Sequence, residues 1–230
     1  HLIRAGNNTG VCGNLNRGIQ VVQGKWVKTL AADDLLCDDA IEKYVSFCKD
    51  SNCDICVSDA FLIDEEGNSI DSESKSSIWP TFLDSIGKDL KSQRKQVQLD
   101  KLCPGPPIFF SKKAWDAFGG YDEKYRFADE RAMQYGMVMK GFAIIPIKEK
   151  LIYYRCSPLS LCHNYLDNRS NTSQLLFART KVIPFLLKKF KIISAWDVFI
   201  RRIVPYLMVK HQINAFKYLL LFSPTFICSK

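Results

Sequence analysis

Between Gly10 and Arg155, short apolar runs that read as strands alternate with segments of helical period. This alternation constrains the fold more than any other feature of the chain. "VCGNLNRGIQVVQ" sets Leu15, Ile19 and Val22 on one helical face, with Gly10 and Gly13 permitting tight turns near its start and Gly24 as a stop. "KWVKTLA" follows as a strand carrying Trp26, Thr29 and Leu30. A helix is expected over 38–49, with Ile41, Tyr44, Val45 and Cys48 on one side. "CDICVSDAFLI" then reads as a strand whose apolar runs fit a sheet covered on both faces. Residues 64–80 are polar and turn-prone, and 81–98 are helical in a mixed way. A strand at Ile108–Phe110, a short helix and the Gly119-Gly120 break come next. "ADERAMQYGMVMKG" reads as a helix with acids at its start and Gly141 just past its end. "FAIIPI" and "LIYYR" read as two short strands. The expected class is α/β, with a Rossmann-like, mostly parallel sheet flanked by helices.

The texture changes from about Ser173, and the expected division is a domain over 1–165 and a basic helical extension over 166–230. The net charge of +8 is not evenly spread: from Phe177 onward there are ten Lys or Arg and one acid, Asp197. Apolar and basic residues interleave there as in amphipathic helices, which points to an anionic membrane surface as partner of 177–230. No uncharged apolar stretch is long enough to span a bilayer. Nucleic acid is not an expected partner, because only the basic tail argues for it. Nine cysteines are scattered through the chain, and "CDIC" (Cys53, Cys56) has no second pair or His cluster with it. Buried thiols in a reducing cytoplasm are the reading taken. The sequons at Asn7, Asn168 and Asn171 carry little weight in that compartment.

Three groups of residues offer chemistry. In "KTLAADDLLCDD" two adjacent carboxylates, Asp33 and Asp34, end an apolar climb. Like charges side by side repel, so either water or a cation tolerates them. At the carboxyl end of a strand in an α/β sheet they stand where ligands bind, and Mg²⁺ or Mn²⁺ shares its shell between carboxylate and diphosphate oxygens. A solvated turn is the alternative. Asp129, in "YDEKYRFADERAM", opens a helix either as its cap or as a general base facing a cleft. Arg155, in "YYRCSPLS", ends a strand and suits phosphate, a carboxylate partner or a surface ion pair.

The order of these pieces resembles a family 2 glycosyltransferase. "NNTGVCGNLNRGIQVVQGKWVKTLAADDLL" is similar to the family's N-x-G segment, its Asn- and Gly-bearing helix and its strand ending in a DxD-type motif, with Asn8, Gly10, Asn16, Gly18, Gly24, Trp26 and Asp33 at the matching places. "PGPPIFFSKKAWDAFGGYDEKYRFADERAMQYGMVMKGFAIIPIKEKLIYYRCSPLS" resembles the second signature: a Gly before a strand, "GG(Y/F)DE", an acidic pair opening a helix, and "YR" followed by Ser. The likeness covers roughly residues 5–160. It implies a GT-A fold, a nucleotide-sugar donor, a divalent cation (Mg²⁺ or Mn²⁺) and inverting transfer of a hexosyl-type sugar to the hydroxyl of a saccharide or lipid-linked acceptor. Polysaccharide or glycoconjugate biosynthesis and a cytoplasmic location, peripheral on the inner face of the membrane, go with it.

By position, the resemblance makes Asp129 the base and Asp33 the metal ligand. Asn8, Gly10, Asn16, Asp33 and Asp34 fall to donor binding, and Gly105, Glu130 and Arg155 to acceptor or phosphate contacts. Three departures stand out: Ala31 where the first Asp of DxD belongs, Ala128 where an acid often precedes Asp129, and a first family strand that would lie before His1. A non-catalytic nucleotide-sugar-binding or membrane-docking relative of the same fold is the alternative.

Overall fold

The computed structural model describes residues 1–70, 83–99, 107–125, 129–157, 178–188 and 191–200. Among these, strands β1 (Trp26–Val27), β2 (Leu35–Leu36), β3 (Ile55–Ile63), β4 (Ile108–Ser111) and β5 (Ile144–Arg155) form one sheet in the order β1-β4-β3-β5-β2. β3 carries two short apolar runs around the buried Ser58 and Asp59, and it takes the centre because both its faces are buried. It pairs in parallel with β5 from Ile55↔Ile144 to Ile63↔Arg155.

The class is α/β as read, but the sheet is mixed. β1 pairs with β4, β4 with β3, and β2 with β5, all antiparallel. Parallel neighbours need a long crossover connection, whereas a two- to four-residue strand can pair antiparallel wherever the chain turns back on itself. The two strands expected in "FAIIPI" and "LIYYR" are a single twelve-residue strand. It crosses Pro146 by shifting register against β3 between Val57 and Ala60.

Helices cover both faces. α1 (Gly10–Gln20), α3 (Leu90–Gln98), α4 (Lys112–Phe118) and α5 (Asp129–Met139) lie on one side, and α2 (Ala40–Asp50) on the other. Ile55 and Val57 face the first cluster with Ile19, Phe110 and Met137. Cys56, between them, faces the second with Tyr44, Phe109 and Leu151, as the two-residue period of a strand dictates. Leu15 and Val22 pack beside Ile19 as the helical period predicts.

On α2, Tyr44 and Cys48 are buried, but Ile41 is 46% exposed and Ala40 takes the inward place. The helix therefore starts a fraction of a turn away from the expected face. Tyr44 stacks on Phe109 with centroids 4.9 Å apart, and its hydroxyl meets Ser58 Oγ at 2.6 Å. The described cysteines are free thiols, with Cys48 Sγ 3.3 Å from Cys56 Sγ and 3.7 Å from Cys53 Sγ. The hydrogen bond with Cys48, together with burial, pushes the Cys53 thiol up.

The Gly-Gly break is required by its geometry. Gly119 and Gly120 have φ of +87° and +81°, and a Cβ on Gly120 would sit 3.1 Å from Asn16 Oδ1. After β5 the described chain resumes in a π-helical turn (Ala178–Val182), α6 (Ile183–Lys188) and α7 (Ile192–Val198). Val182, Leu186, Ala195 and Val198 share a core with Tyr125 and Ala132, so this part of the extension is seated on α5. Among the described residues no helix is long and apolar enough to cross a membrane.

Candidate active site

A cleft of about 890 Å³ opens along one end of the sheet. Its walls come from residues 5–11, from Asn14, Leu15 and Arg17 on α1, from Thr29–Ala32 and Asp34, and from Ile108, Tyr121, Glu130 and Met133. The size suits a ligand of several rings, since small-molecule sites run to roughly 300–1,000 Å³.

The first wall is built by the turn into α1. Gly10 enters the helix with φ of +74°, and its N–H donates to Asn8 Oδ1 at 2.9 Å. Two helical turns on, Arg17 donates to Thr9 Oγ1 at 3.1 Å and Asn14 Oδ1 at 3.4 Å, which holds a cationic side chain against the cleft. Amides, a hydroxyl and a guanidinium on one wall make a surface that can bind hydroxyl groups and phosphate oxygens.

The second wall is the turn over 31–34, where Asp34 N–H reaches Ala31 O at 3.3 Å. The two adjacent carboxylates have opposite fates. Asp34 is 5% exposed, lines the cleft, and accepts the Arg155 backbone N–H at 3.0 Å. Burial raises its pKa, against the Arg155 N–H, which lowers it; neighbouring Asp33 adds to the rise. Lys28 lies near it and donates to Thr29 O at 2.7 Å; burial pulls its pKa down to about 8, while Asp34 opposes that shift. Asp33 is exposed and stands beside the cleft rather than in its lining.

Arg155 differs from expectation. Its guanidinium donates to three main-chain carbonyls, Asp33 O at 2.9 Å, Asp64 O at 2.7 Å and Glu65 O at 2.8 Å. It ties the end of β5 to the 31–34 turn and to the turn after β3. Asn16 also serves the frame. Its amide receives the Tyr121 N–H at 2.8 Å and donates to Tyr121 O at 2.9 Å, so it fastens α1 to the Gly-Gly turn, away from the cleft.

The third wall is the start of α5. Asp129 is the first residue of that helix, and its side chain lies outside the described residues. Glu130, next to it, lines the cleft. Gly105 also lies outside the described residues. The structure thus gathers Asn8, Gly10, Asp34 and Glu130 around one space. Arg17 escaped the sequence reading, although its i, i+3 spacing from Asn14 on a Gly-led helix was a usable signal.

The sequence profile described as "Glycosyl transferase family 2" matches residues 1–116. The chain belongs to glycosyltransferase family 2. No curated protein matches it at a significant level. Solved structures of S. aureus TarS are similar in fold. The form in complex with UDP is 11% identical at a TM-score of 0.51, over 93% of this chain and 71% of that one. The form in complex with UDP-GlcNAc is 9% identical at 0.53, over 90% and 64%. Another TarS structure is 11% identical at 0.52, and this chain spans 27% of its length. The fold of this family 2 chain is therefore GT-A, and the cleft residue Asp34 stands at the carboxyl end of β5.

Among the described residues no group of three or more His, Cys, Asp or Glu side chains is arranged to hold a metal ion. That does not conflict with a family 2 donor site. Mg²⁺ needs only one or two carboxylates when phosphate oxygens and water fill the rest of its shell. The exposed Asp33 carboxylate fits that description.

Proposed function

We propose that the protein transfers a sugar from a nucleotide-diphosphate-sugar donor to an acceptor hydroxyl, with inversion at the anomeric carbon, in the biosynthesis of a polysaccharide or glycoconjugate. The observation that carries this reading is the cleft itself. It joins the Asn8–Gly10 turn, Arg17, the 31–34 turn and the first turn of α5 around about 890 Å³. Family membership and the likeness to TarS, solved with UDP and UDP-GlcNAc, support the donor class.

In this reading the Asn8–Gly10 turn and Arg17 bind the donor, and Arg17 faces its diphosphate. Asp129 takes the proton from the acceptor hydroxyl as the new glycosidic bond forms on the face opposite the departing diphosphate. Glu130 orients the acceptor. Mg²⁺ or Mn²⁺, held by Asp33, would stabilise the charge that develops on the leaving diphosphate. Asp34 braces the corner through Arg155. The protein works in the cytoplasm, peripheral on the inner face of the membrane.

The experiment is release of nucleoside diphosphate from a panel of nucleotide sugars with Mn²⁺, for the chain and for Asp129→Asn and Glu130→Gln. Asp129→Asn is expected to lower transfer about 10²–10⁴-fold, the usual worth of a general base, while calorimetric donor binding persists. Transfer at the normal rate by Asp129→Asn ends that assignment. Loss confined to Glu130→Gln moves the role to Glu130.

One observation favours a second reading, a non-catalytic nucleotide-sugar-binding relative. Ala31 stands at the first DxD place and Asp34 is engaged by Arg155, which leaves Asp33 as the exposed acid of the corner. Donor binding without turnover on any nucleotide sugar is its signature.

A further inference from the structure

The pair α6 and α7 has two faces of different chemistry. Leu186, Ala195 and Val198 point inward to Tyr125 and Ala132. Outward stand Leu187, Ile192, Ile193 and Trp196, exposed by 49%, 66%, 72% and 50%. Four large apolar side chains exposed within ten residues make an apolar ridge, denser than the scattered singles normal on a surface.

Lys188 and Lys191 are exposed on the same short stretch. Asp197, the one acid from Phe177 to the end of the chain, is 6% exposed and turned inward. The outward face therefore carries apolar bulk and positive charge without a carboxylate of its own segment.

We propose that this ridge docks on an anionic lipid bilayer, with Ile192, Ile193 and Trp196 entering the headgroup boundary and Lys188 and Lys191 against lipid phosphates. The pattern is that of an interfacial surface, where buried apolar area and attraction to anionic headgroups add. An indole suits such a boundary because its body is apolar and its N–H is polar. A second copy of the chain is a poorer occupant, since it brings the same lysines against these, and its own 177–230 has no acid but the inward Asp197.

The position of the ridge also assigns the acceptor. The inner side of α6–α7 rests on α5, and Tyr125 Oη meets Thr180 Oγ1 at 2.6 Å. α5 is the helix that opens with Asp129 and Glu130. A bilayer under the ridge lies beside the helix that carries Asp129 and Glu130, with Ala132 in the shared core, and on that ground the acceptor is assigned as a saccharide carried on a lipid anchor. This acceptor assignment rests on the sugar-transfer reading; the docking does not.

The test is flotation of the chain with vesicles of phosphatidylcholine alone and with about a third phosphatidylglycerol, at low and high salt. Two variants accompany it, Ile192→Ser/Ile193→Ser/Trp196→Ser and Lys188→Glu/Lys191→Glu, each checked for fold by circular dichroism. The second alters only exposed lysines and keeps the test valid if the first unfolds. The chain is expected to float with the anionic vesicles at low salt alone, and each variant to lose at least tenfold in bound fraction. No flotation with anionic vesicles overturns the docking, as does equal flotation of the chain and both variants. A dimer in sedimentation velocity that the first variant turns into monomer would give the ridge to a second copy and overturn it too. No sugar takes part in the flotation, so its failure and failure of the transfer assay are separate results. With docking established, transfer to a lipid-anchored acceptor no faster than to the same free saccharide would overturn the acceptor assignment.

Discussion

The backbone N–H of Arg155 donates to Asp34 Oδ1 at 3.0 Å, across 121 residues of sequence. The same residue's guanidinium holds Asp33 O, Asp64 O and Glu65 O. One residue at the end of β5 thus secures both the carboxylate and the main chain of the 31–34 turn. It is a positioning residue, because its Nε and Nη1 donors are spent on protein carbonyls.

Arg155→Ala is expected to destabilise the chain by about 2–4 kcal/mol, since it removes three hydrogen bonds from a charged donor that is partly screened by solvent. Arg155→Lys is expected to recover less than half of this, because an ammonium cannot span three carbonyls as the planar fork does. Urea unfolding measures both. A Lys variant as stable as the parent would show that the fork geometry is irrelevant.

Asn16→Ala is expected to cost about 1–3 kcal/mol, because the Tyr121 N–H and C=O lose their shared partner at the Gly-Gly turn. Donor affinity per folded molecule should change less than threefold, as Asn16 does not line the cleft. Thermal unfolding and calorimetric titration of the donor, run on the same sample, separate the two effects. A large loss of affinity with unchanged stability would contradict this.

Arg17→Ala should behave in the opposite way. Its partners Thr9 and Asn14 belong to the same exposed wall, so stability should move by no more than about 0.5 kcal/mol. Affinity for a nucleoside diphosphate should fall about tenfold or more, with a weaker salt dependence, because a charge-assisted contact is lost. Calorimetry at two ionic strengths reads it, and unchanged affinity would remove Arg17 from the donor site.

Lys28 makes a pH prediction. Its native pKa is about 8, against 10.5 for the free side chain. Between these values the unfolded chain holds a proton that the native chain does not, so this residue's contribution to stability rises with pH. Below pH 8 both states are protonated and the slope vanishes. Burial raises the pKa of Cys37 and Tyr44, and the hydrogen bond with Cys48, together with burial, raises that of Cys53; these groups pull the other way as pH rises, so the quantity to measure is the difference between the parent and Lys28→Met. That difference should grow in the parent's favour from pH 8 to 9.5 in urea unfolding. A flat difference would mean that Lys28 is solvated in the native state.

Much of this structure can be read from local sequence because local chemistry enforces it. β3 is central because "ICVSDAFLI" has no solvated face to offer. The break at Gly119-Gly120 follows from backbone angles that other residues resist. Ile19 packs inward because it lies on the apolar stripe of its helix. What local pattern missed has a common cause. Ile41 and Ala40 exchange roles because the face α2 buries depends on how it sits over Phe109 and Leu151. The antiparallel edges depend on where β1, β2 and β4 find unpaired backbone groups.

The sequence by itself determined the alternation of strands and helices, the family, and the turn where two carboxylates stand side by side. Those are properties of spacing and side-chain chemistry. Only the tertiary structure divided Asp33 from Asp34, brought Arg17 to the cleft, took Asn16 and the Arg155 guanidinium out of it, and turned Asp197 inward beneath an apolar ridge. Adjacent residues have nearly the same local sequence. Which of them is desolvated, and by what partner, is decided by segments a hundred residues away that arrive only when the chain folds.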